Sequence, residues 1–459
     1  KKQFNNNDII KNYLSLIIIL IYCYFWISIG KFVEINFNNF FNNGLINLII
    51  FSVCLFILII KLINNRKLPT ISILLIYPIA SSIGYFNNIN VHQSFDLLIH
   101  FFLTISTLFI FLSILEDHKD RKKLFKYFLK ISLFFIFLVF SILVFPDLVN
   151  RIINNIHVRD ISFVTLNLFF IDYTYVQNSN GASRVTFLIF IFFFTRFIFK
   201  IKKNKKYKKY FFFSILLSII IFYLQSRLVT SFLIIYVLFW ILNFSNKKIY
   251  LKIFFFISIV IIPFTIQHNY NTKLAINLNK DPSFLEKSRI LGFDIKITRD
   301  QFRGAGISEE CSFTINNVTL EILDFYSSGR VCGWEILLKN IGKKDILFGK
   351  GFFYDQIYLN KYQKISSNSY INIIYNSGLI GFFPFLIIFI ILISKYQVIY
   401  MLYKKSDYND FLIFNFMLFL LFRSFFEDTF AFVSIDLILF LTCSAILLSK
   451  IKEVQNNKK

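Results

Sequence analysis

The sequence predicts an all-α polytopic membrane protein of about twelve transmembrane helices, interrupted by one large extramembrane loop before the tenth helix. Three observations predict it. The 459 residues are 56% hydrophobic and 20% aromatic, with a mean hydropathy of +0.62. One water-soluble core cannot bury that much apolar surface, whereas lipid solvates the outer face of each helix. The apolar residues fall in runs of mostly about 16 to 21, the length that crosses a bilayer with modest tilt or snorkelling flanks. Lys and Arg are sorted between alternate connections, as they are where cytoplasmic positive charge sets the orientation.

The runs lie near 13–29, 45–60, 70–86, 97–115, 127–145, 185–199, 210–225, 228–243, 250–266, 373–394, 410–422 and 429–449. No small-residue cleavage site follows the first, which is expected to stay as a helix rather than leave as a signal peptide. The run at 410–422 is the shortest. Residues 1–266 thus form a membrane domain of nine helices, 267–368 an outside loop, and 369–459 a second membrane segment with helices ten to twelve. The loop holds a polar stretch, 273–317, with turn signals at Asp281-Pro282 and Gly304-Ala305-Gly306. Ser327-Ser328-Gly329-Arg330 follows, and then Trp334, Leu337, Leu338 and Ile341 recur at helical spacing up to Gly342. A serine cap, an apolar stripe and a glycine stop predict a short amphipathic helix lying against the membrane domain or its interface. No internal repeat and no pair of inverted halves is visible, which weighs against a secondary transporter.

The formal net charge is +24. The lysines sit in short connections rather than in a separate basic domain, so nucleic-acid binding is not expected. With both termini in the cytoplasm, the inner connections carry about 28 Lys and Arg, seven of them between Lys200 and Lys209. The short outer connections carry Lys31, Arg151, Arg159, Arg184, Arg227 and Arg423. The outer charges are almost all Arg. A guanidinium grips phosphate with a two-pronged fork that an ammonium lacks, so this set is a candidate anion site as well as a set of headgroup anchors.

Several outer residues could carry chemistry. Gln225-Ser226-Arg227 makes a turn so short that Arg227 must lie at the helix ends. Arg330 opens the amphipathic helix. Arg423-Ser424-Phe425-Phe426-Glu427-Asp428 places an Arg and two carboxylates at one turn, where Glu427 or Asp428 could act as a base or form a salt bridge. Asp436 falls inside the last run, where an ionisable group faces a cavity or a charged partner rather than lipid. No phosphate-binding glycine loop, metal-spaced Cys/His cluster or outer Asp-x-Asp pair is present, so no metal or cofactor is expected. Cys23, Cys54 and Cys443 read as small hydrophobes. Cys311 and Cys332, the two cysteines of the outer loop, are expected to form a disulfide in an oxidising compartment.

Between residues 210 and 440 the chain resembles the O-antigen polymerase and ligase superfamily of bacterial envelope enzymes. The matching pieces are Gln225-Ser226-Arg227 at a helix start, Ser328-Gly329-Arg330 with Trp334, and Leu347-Phe348-Gly349-Lys350-Gly351. Ser367-Asn368-Ser369-Tyr370 leads into Asn376-Ser377-Gly378-Leu379-Ile380-Gly381, and the late large loop completes the match. The resemblance implies a GT-C-like, metal-independent glycosyltransferase at the periplasmic face of the inner membrane. Its substrate would be an undecaprenyl-pyrophosphate-linked oligosaccharide, and a chain-length regulator could be its partner. Arg227 and Arg330 would hold the pyrophosphate, with Arg423, Arg184 and Asn368 as further substrate-binding candidates. Ser367 stands where ligases of the superfamily carry a His, which favours the polymerase branch over the ligase. A polymerase acceptor is a sugar hydroxyl that benefits from a general base, for which Glu427, Asp428 and Glu335 are the candidates. The other readings are a ligase or related polysaccharide transferase and, less in keeping with the large loop, a lipid-linked sugar flippase.

Overall fold

The computed structural model describes residues 16–26, 44–65, 70–88, 95–116, 121–153, 162–168, 171–177, 179–203, 205–242, 249–277, 330–352, 354–360, 368–394, 408–427 and 434–456. These are almost entirely helical. The all-α expectation is modified by one antiparallel hairpin, Ser162–Leu168 with Ile171–Gln177 (β1 and β2).

The helices are α1 (Leu16–Trp26), α2 (Gly44–Asn65), α3 (Ile76–Asn87, entered through a 3₁₀ stretch at Thr70–Leu75) and α4 (Phe95–Glu116). Then follow α5 (Arg121–Val139) and α6 (Phe145–Ile153), continuous through a π-helical turn at Phe140–Val144. A compact group comes next: α7 (Ser179–Lys202), α8 (Lys208–Tyr223) and α9 (Arg227–Leu242). A second pair joined by a π-turn at Ile257–Ile261 is α10 (Ile249–Phe256) and α11 (Ile262–Asn277). The chain resumes with α12 (Arg330–Asn340), α13 (Tyr354–Asn360), α14 (Ser369–Ser394), α15 (Tyr408–Ser424) and α16 (Ile435–Asn456).

Four of these stretches are long and apolar enough to cross a membrane: Thr70–Asn87, Lys123–Ile153, Ile249–Tyr270 and Ser369–Leu392. Their surfaces explain the composition. Phe134, Ile253, Phe254, Ile257, Ile261, Ile262 and Ile390 are exposed, while Ser132, Thr186, Thr195, Ser214, Ser218 and Asn415 are buried. Apolar outside and hydroxyl-bearing inside is the pattern for helices that pack in lipid, where small polar groups bond between or within helices. Thr186 and Ser214 return to a carbonyl one turn back, at Ala182 and Tyr210, while Ser132 bonds Tyr22 and Ser218 bonds the Ile259 carbonyl across helices. Phe rings fill the centre: Phe187, Phe190, Phe194 and Phe197 form a buried ladder along α7, and Phe419 of α15 and Phe232 of α9 close on Phe187.

Helix α14 is broken in its middle. Gly378 takes φ 65° and ψ −169°, a left-handed backbone that only glycine adopts readily. The groups freed by the break are satisfied by an inserted turn, residues 346–351. The Tyr375 and Asn376 carbonyls accept from the N–H groups of Lys350 and Gly351, each at 2.9 Å. The Leu379 and Ile380 N–H groups donate to the Ile346 and Leu347 carbonyls at 2.9 and 3.1 Å. The two backbones lie so close that a Cβ on Gly378 would collide with the Leu347 main chain, and one on Gly349 would stand 2.5 Å from that of Asn376. The two glycine motifs that looked independent in the sequence are therefore each other's partners. Non-helical backbone about 13 Å along a helix from its start is tolerated only when protein satisfies it in this way. Beside the insertion, Lys350 pairs with the buried Asp345 at 3.1 Å and lies over the Tyr354 ring.

Alternation of the helices places several termini together. α8 runs antiparallel to α7, from which a short connection separates it, so Tyr223 and Arg227 lie at the end where α7 begins. Ser218 bonds to the Ile259 carbonyl and Phe222 meets Phe264 edge to face, so α11 runs parallel to α8 and finishes at that same end. The starts of α14 and α16 and the finish of α15 also meet there. The opposite end carries the lysines of 200–209 and the Lys450–Asp410 pair.

Candidate functional site

At the shared end, five ionised side chains from four helices form one chain of contacts. Arg184 comes from the second turn of α7, Arg423 from the last turn of α15, Asp436 from the first turn of α16 and Arg330 from the start of α12. Glu427 stands just beyond α15. Arg184 Nη1 donates to Asp436 Oδ2 at 3.1 Å, and Arg423 Nη1 pairs with the same oxygen. Arg423 Nη2 lies 3.9 Å from Glu427 Oε2, and Arg330 Nη2 donates to Glu427 Oε1 at 2.7 Å. The order is Arg184, Asp436, Arg423, Glu427, Arg330.

From Asp436, the most buried member, the series runs outward through Arg423 to Arg330, with Arg184 on its other side at 13% exposure. The Asp436 side chain is 0% exposed, Arg423 7% and Arg330 20%. Two positions match the helix dipoles: a cation in the last turn of α15 and an anion in the first turn of α16. Among the described residues three guanidiniums face two carboxylates, leaving one excess positive charge at a partly desolvated site. There its attraction for an anion is screened less than at an open surface.

Backbone contacts hold the turn that carries Glu427. Asn368 caps α14 through Oδ1, which accepts from the Tyr370 and Ile371 N–H groups at 3.0 and 3.1 Å, while its Nδ2 donates to the Phe425 carbonyl at 2.8 Å. Ser369 Oγ donates to the Glu427 carbonyl at 2.8 Å, and the Tyr370 hydroxyl bonds to Ser424 Oγ at 2.7 Å. The segment Asn368-Ser369-Tyr370 is thus a strap on the Arg423–Glu427 turn. α12 is held in turn by Leu337, buried against Tyr354, Leu359 and Tyr375, and by Asn340, whose amide donates to the Tyr375 hydroxyl at 2.7 Å. Tyr375 also bonds the inserted segment, so the break in α14 and the position of Arg330 belong to one structure.

Of the residues singled out from sequence, Arg184, Arg330, Arg423, Glu427 and Asn368 are brought together, with Asp436 at their centre. Arg184 and Arg423 lie within helices rather than in connections, because α7 begins at Ser179 and α15 continues to Ser424. Asn368 has its amide engaged in capping and strapping. Glu335 instead pairs with Lys339 one turn along α12. Arg227 opens α9 at the same end, with its side chain outside the described part of the structure. Asp428, Cys311 and the Cys332 side chain also lie outside it. Cys23, Cys54 and Cys443 are free thiols, the last two buried. Among the described residues no group of three or more His, Cys, Asp or Glu could hold a metal ion. Sequence reasoning missed Ser369 and Tyr370 as positioning residues, although their motif was visible. It also took Arg151 for a connection residue, although Asp147 stands one helical turn before it.

No family model, no curated protein and no solved structure matches this chain.

Proposed function

We propose that the chain is a metal-independent glycosyltransferase that polymerises polyprenyl-pyrophosphate-linked oligosaccharide repeats. It would act at the outer face of a bacterial inner membrane, within a GT-C-like framework of about twelve spans and with both termini cytoplasmic. The observation that carries this reading is the series of three arginines and two carboxylates at one sheltered end of the helices. A glycan on a pyrophosphate carrier leaves as an anion. Preorganised guanidiniums in a partly dry site are the groups that stabilise such a leaving group.

The arrangement suggests how substrate would enter. Glu427 engages Arg330 and faces Arg423. An arriving pyrophosphate offers these guanidiniums stronger acceptors, and the exchange of partners releases the Glu427 carboxylate. The acceptor hydroxyl then attacks the anomeric carbon and its proton passes to Glu427. The bond from that carbon to the pyrophosphate breaks, with the electron pair leaving on the phosphate oxygen. Arg330 and Arg423 hold the departing charge, and Asp436 with Arg184 keeps Arg423 aimed. Arg227, at the same end, is the further candidate for the second phosphate, and a chain-length regulator is the candidate protein partner.

The full-length protein in proteoliposomes, supplied with polyprenyl-pyrophosphate oligosaccharide, is expected to lengthen the glycan and release polyprenyl pyrophosphate. Arg330→Lys and Arg423→Lys keep the charge and lose the fork, so each is expected to slow extension at least about tenfold. Lysine variants that extend at the wild-type rate, or a wild-type protein that transfers no sugar, would set this reading aside.

A further inference from the structure

A second group of polar side chains lies at the same end of the helices, outside the arginine series. On α6, Arg151 Nε donates to Asp147 Oδ2 at 2.8 Å, and both side chains are almost wholly buried. Both lie near the Tyr223 phenol at the finish of α8. The Tyr223 ring lies 5.4 Å from the ring of Tyr270 on α11. Gln267 precedes Tyr270 by one helical turn and therefore shares its face. Gln225 follows Tyr223 in the turn to α9, at φ 53°, an uncommon backbone for a residue with a side chain.

Among the described residues Gln225 Oε1 and Gln267 Nε2 are buried and meet no hydrogen-bond partner, and the buried Tyr223 and Tyr270 hydroxyls face each other with nothing else bonded to either. Tyr223 and Gln225 are 8% exposed and Gln267 3%. A buried polar atom left unpaired is costly, so two orphan amides and an isolated pair of phenols on neighbouring helices call for something that bonds to them.

The chemistry of the group narrows what that is. Asp147 neutralises Arg151, so nothing here favours an anion, in contrast to the excess charge of the arginine series. What remains is uncharged: two phenols and two amides, able both to donate and to accept, beside aromatic rings. Sugar hydroxyls need donors and acceptors together, and the C–H faces of a pyranose rest against aromatic rings. We infer that Tyr223, Gln225, Gln267 and Tyr270 form a neutral glycan subsite that holds sugar residues while the arginine series holds phosphate. This inference rests on the glycosyltransferase reading for its choice of ligand and deepens it by assigning a binding subsite of its own to the saccharide.

The test uses the full-length protein in phosphatidylcholine nanodiscs and two separate probes. Neutral oligosaccharides of hexose and N-acetylhexosamine are followed by saturation-transfer NMR, and inorganic pyrophosphate by phosphorus NMR titration. Wild-type protein is expected to bind at least one oligosaccharide. Gln225→Ala and Gln267→Ala are each expected to weaken that binding about tenfold and to leave pyrophosphate affinity unchanged. Arg423→Lys is expected to do the reverse. Tyr223→Phe, which keeps the ring and removes one hydroxyl, guards against a variant that fails to fold and is expected to weaken sugar binding several-fold. Oligosaccharide binding that is absent, or equal in wild type, Gln267→Ala and Tyr223→Phe, would overturn the subsite and leave ordered water as the partner of these atoms. Sugar binding that follows the glutamines, with no pyrophosphate binding at all, would keep the subsite and overturn the polymerase reading.

Discussion

Asp436 receives two guanidiniums on one carboxylate oxygen at full burial. Removing its charge would leave Arg184 and Arg423 facing each other in a medium that screens them poorly. Asp436→Asn is therefore expected to destabilise the protein by about 3 to 5 kcal/mol, the cost of breaking a buried pair from one side. Thermal unfolding in detergent would show it. Adding Arg184→Gln should recover part of the loss, because the double variant removes the surplus cation. Additive losses in the double variant would mean that the two residues are not coupled. The Glu427 contacts differ in kind, since that side chain is nearer the surface and its pairs are correspondingly weaker. Glu427→Gln is expected to leave the melting temperature nearly unchanged and to slow extension about a hundredfold if the carboxylate accepts the acceptor proton. An unimpaired rate would reduce Glu427 to an organiser of the two arginines.

Among the elements, the broken α14 and its inserted segment decide where Arg330 stands. The sequence shows glycines at 349, 351, 378 and 381, but a glycine does not announce whether it serves a turn, a helix end or a close approach. That depends on which backbone lies opposite, and residues 346–351 and 375–380 meet only after the chain has folded. Gly378→Ala is expected to prevent accumulation of folded protein or to cost well over about 3 kcal/mol, because it adds strain at positive φ and a clash with the Leu347 main chain. Gly181→Ala is the matched control. Its Cβ would meet nothing within 4 Å, so its effect should stay within about 0.5 kcal/mol. Size-exclusion profiles and unfolding curves of the two variants separate these outcomes; equal behaviour would mean that the insertion does not hold the break. The helix after Arg330 was legible from its spacing, and Leu337 does face inward, but Leu338 of the same stripe is half exposed. Its docking partner was not legible, because Tyr354, Leu359 and Tyr375 come from two other helices.

For the molecule as a whole, polarity along the helices is the main feature. Arginines and carboxylates gather at one end and the lysines of 200–209 at the other. If cytoplasmic charge sets orientation, the lysine end faces inward. In a variant with all native cysteines replaced by Ser, a Cys at Lys205 should react with an impermeant maleimide only after the membrane is opened. A Cys at Phe425, exposed next to the arginine series, should react in intact cells. The opposite result would invert the molecule and place the arginine series on the cytoplasmic side.

The sequence by itself determined that the chain is helical and apolar on the scale of a bilayer, because hydropathy and run length are properties of consecutive residues. It also marked Arg184, Arg330, Arg423, Glu427 and Asp436 as charges in unusual places, because a charge beside an apolar run is conspicuous without any fold. Only the tertiary structure decided that these five touch, that Asn368 and Ser369 strap their turn, and that two glycine motifs complete each other across a broken helix. It alone brought Tyr223 against Tyr270, whose residue types attract no notice singly. Such contacts join residues tens to hundreds of positions apart, and no local pattern encodes which helix ends will meet.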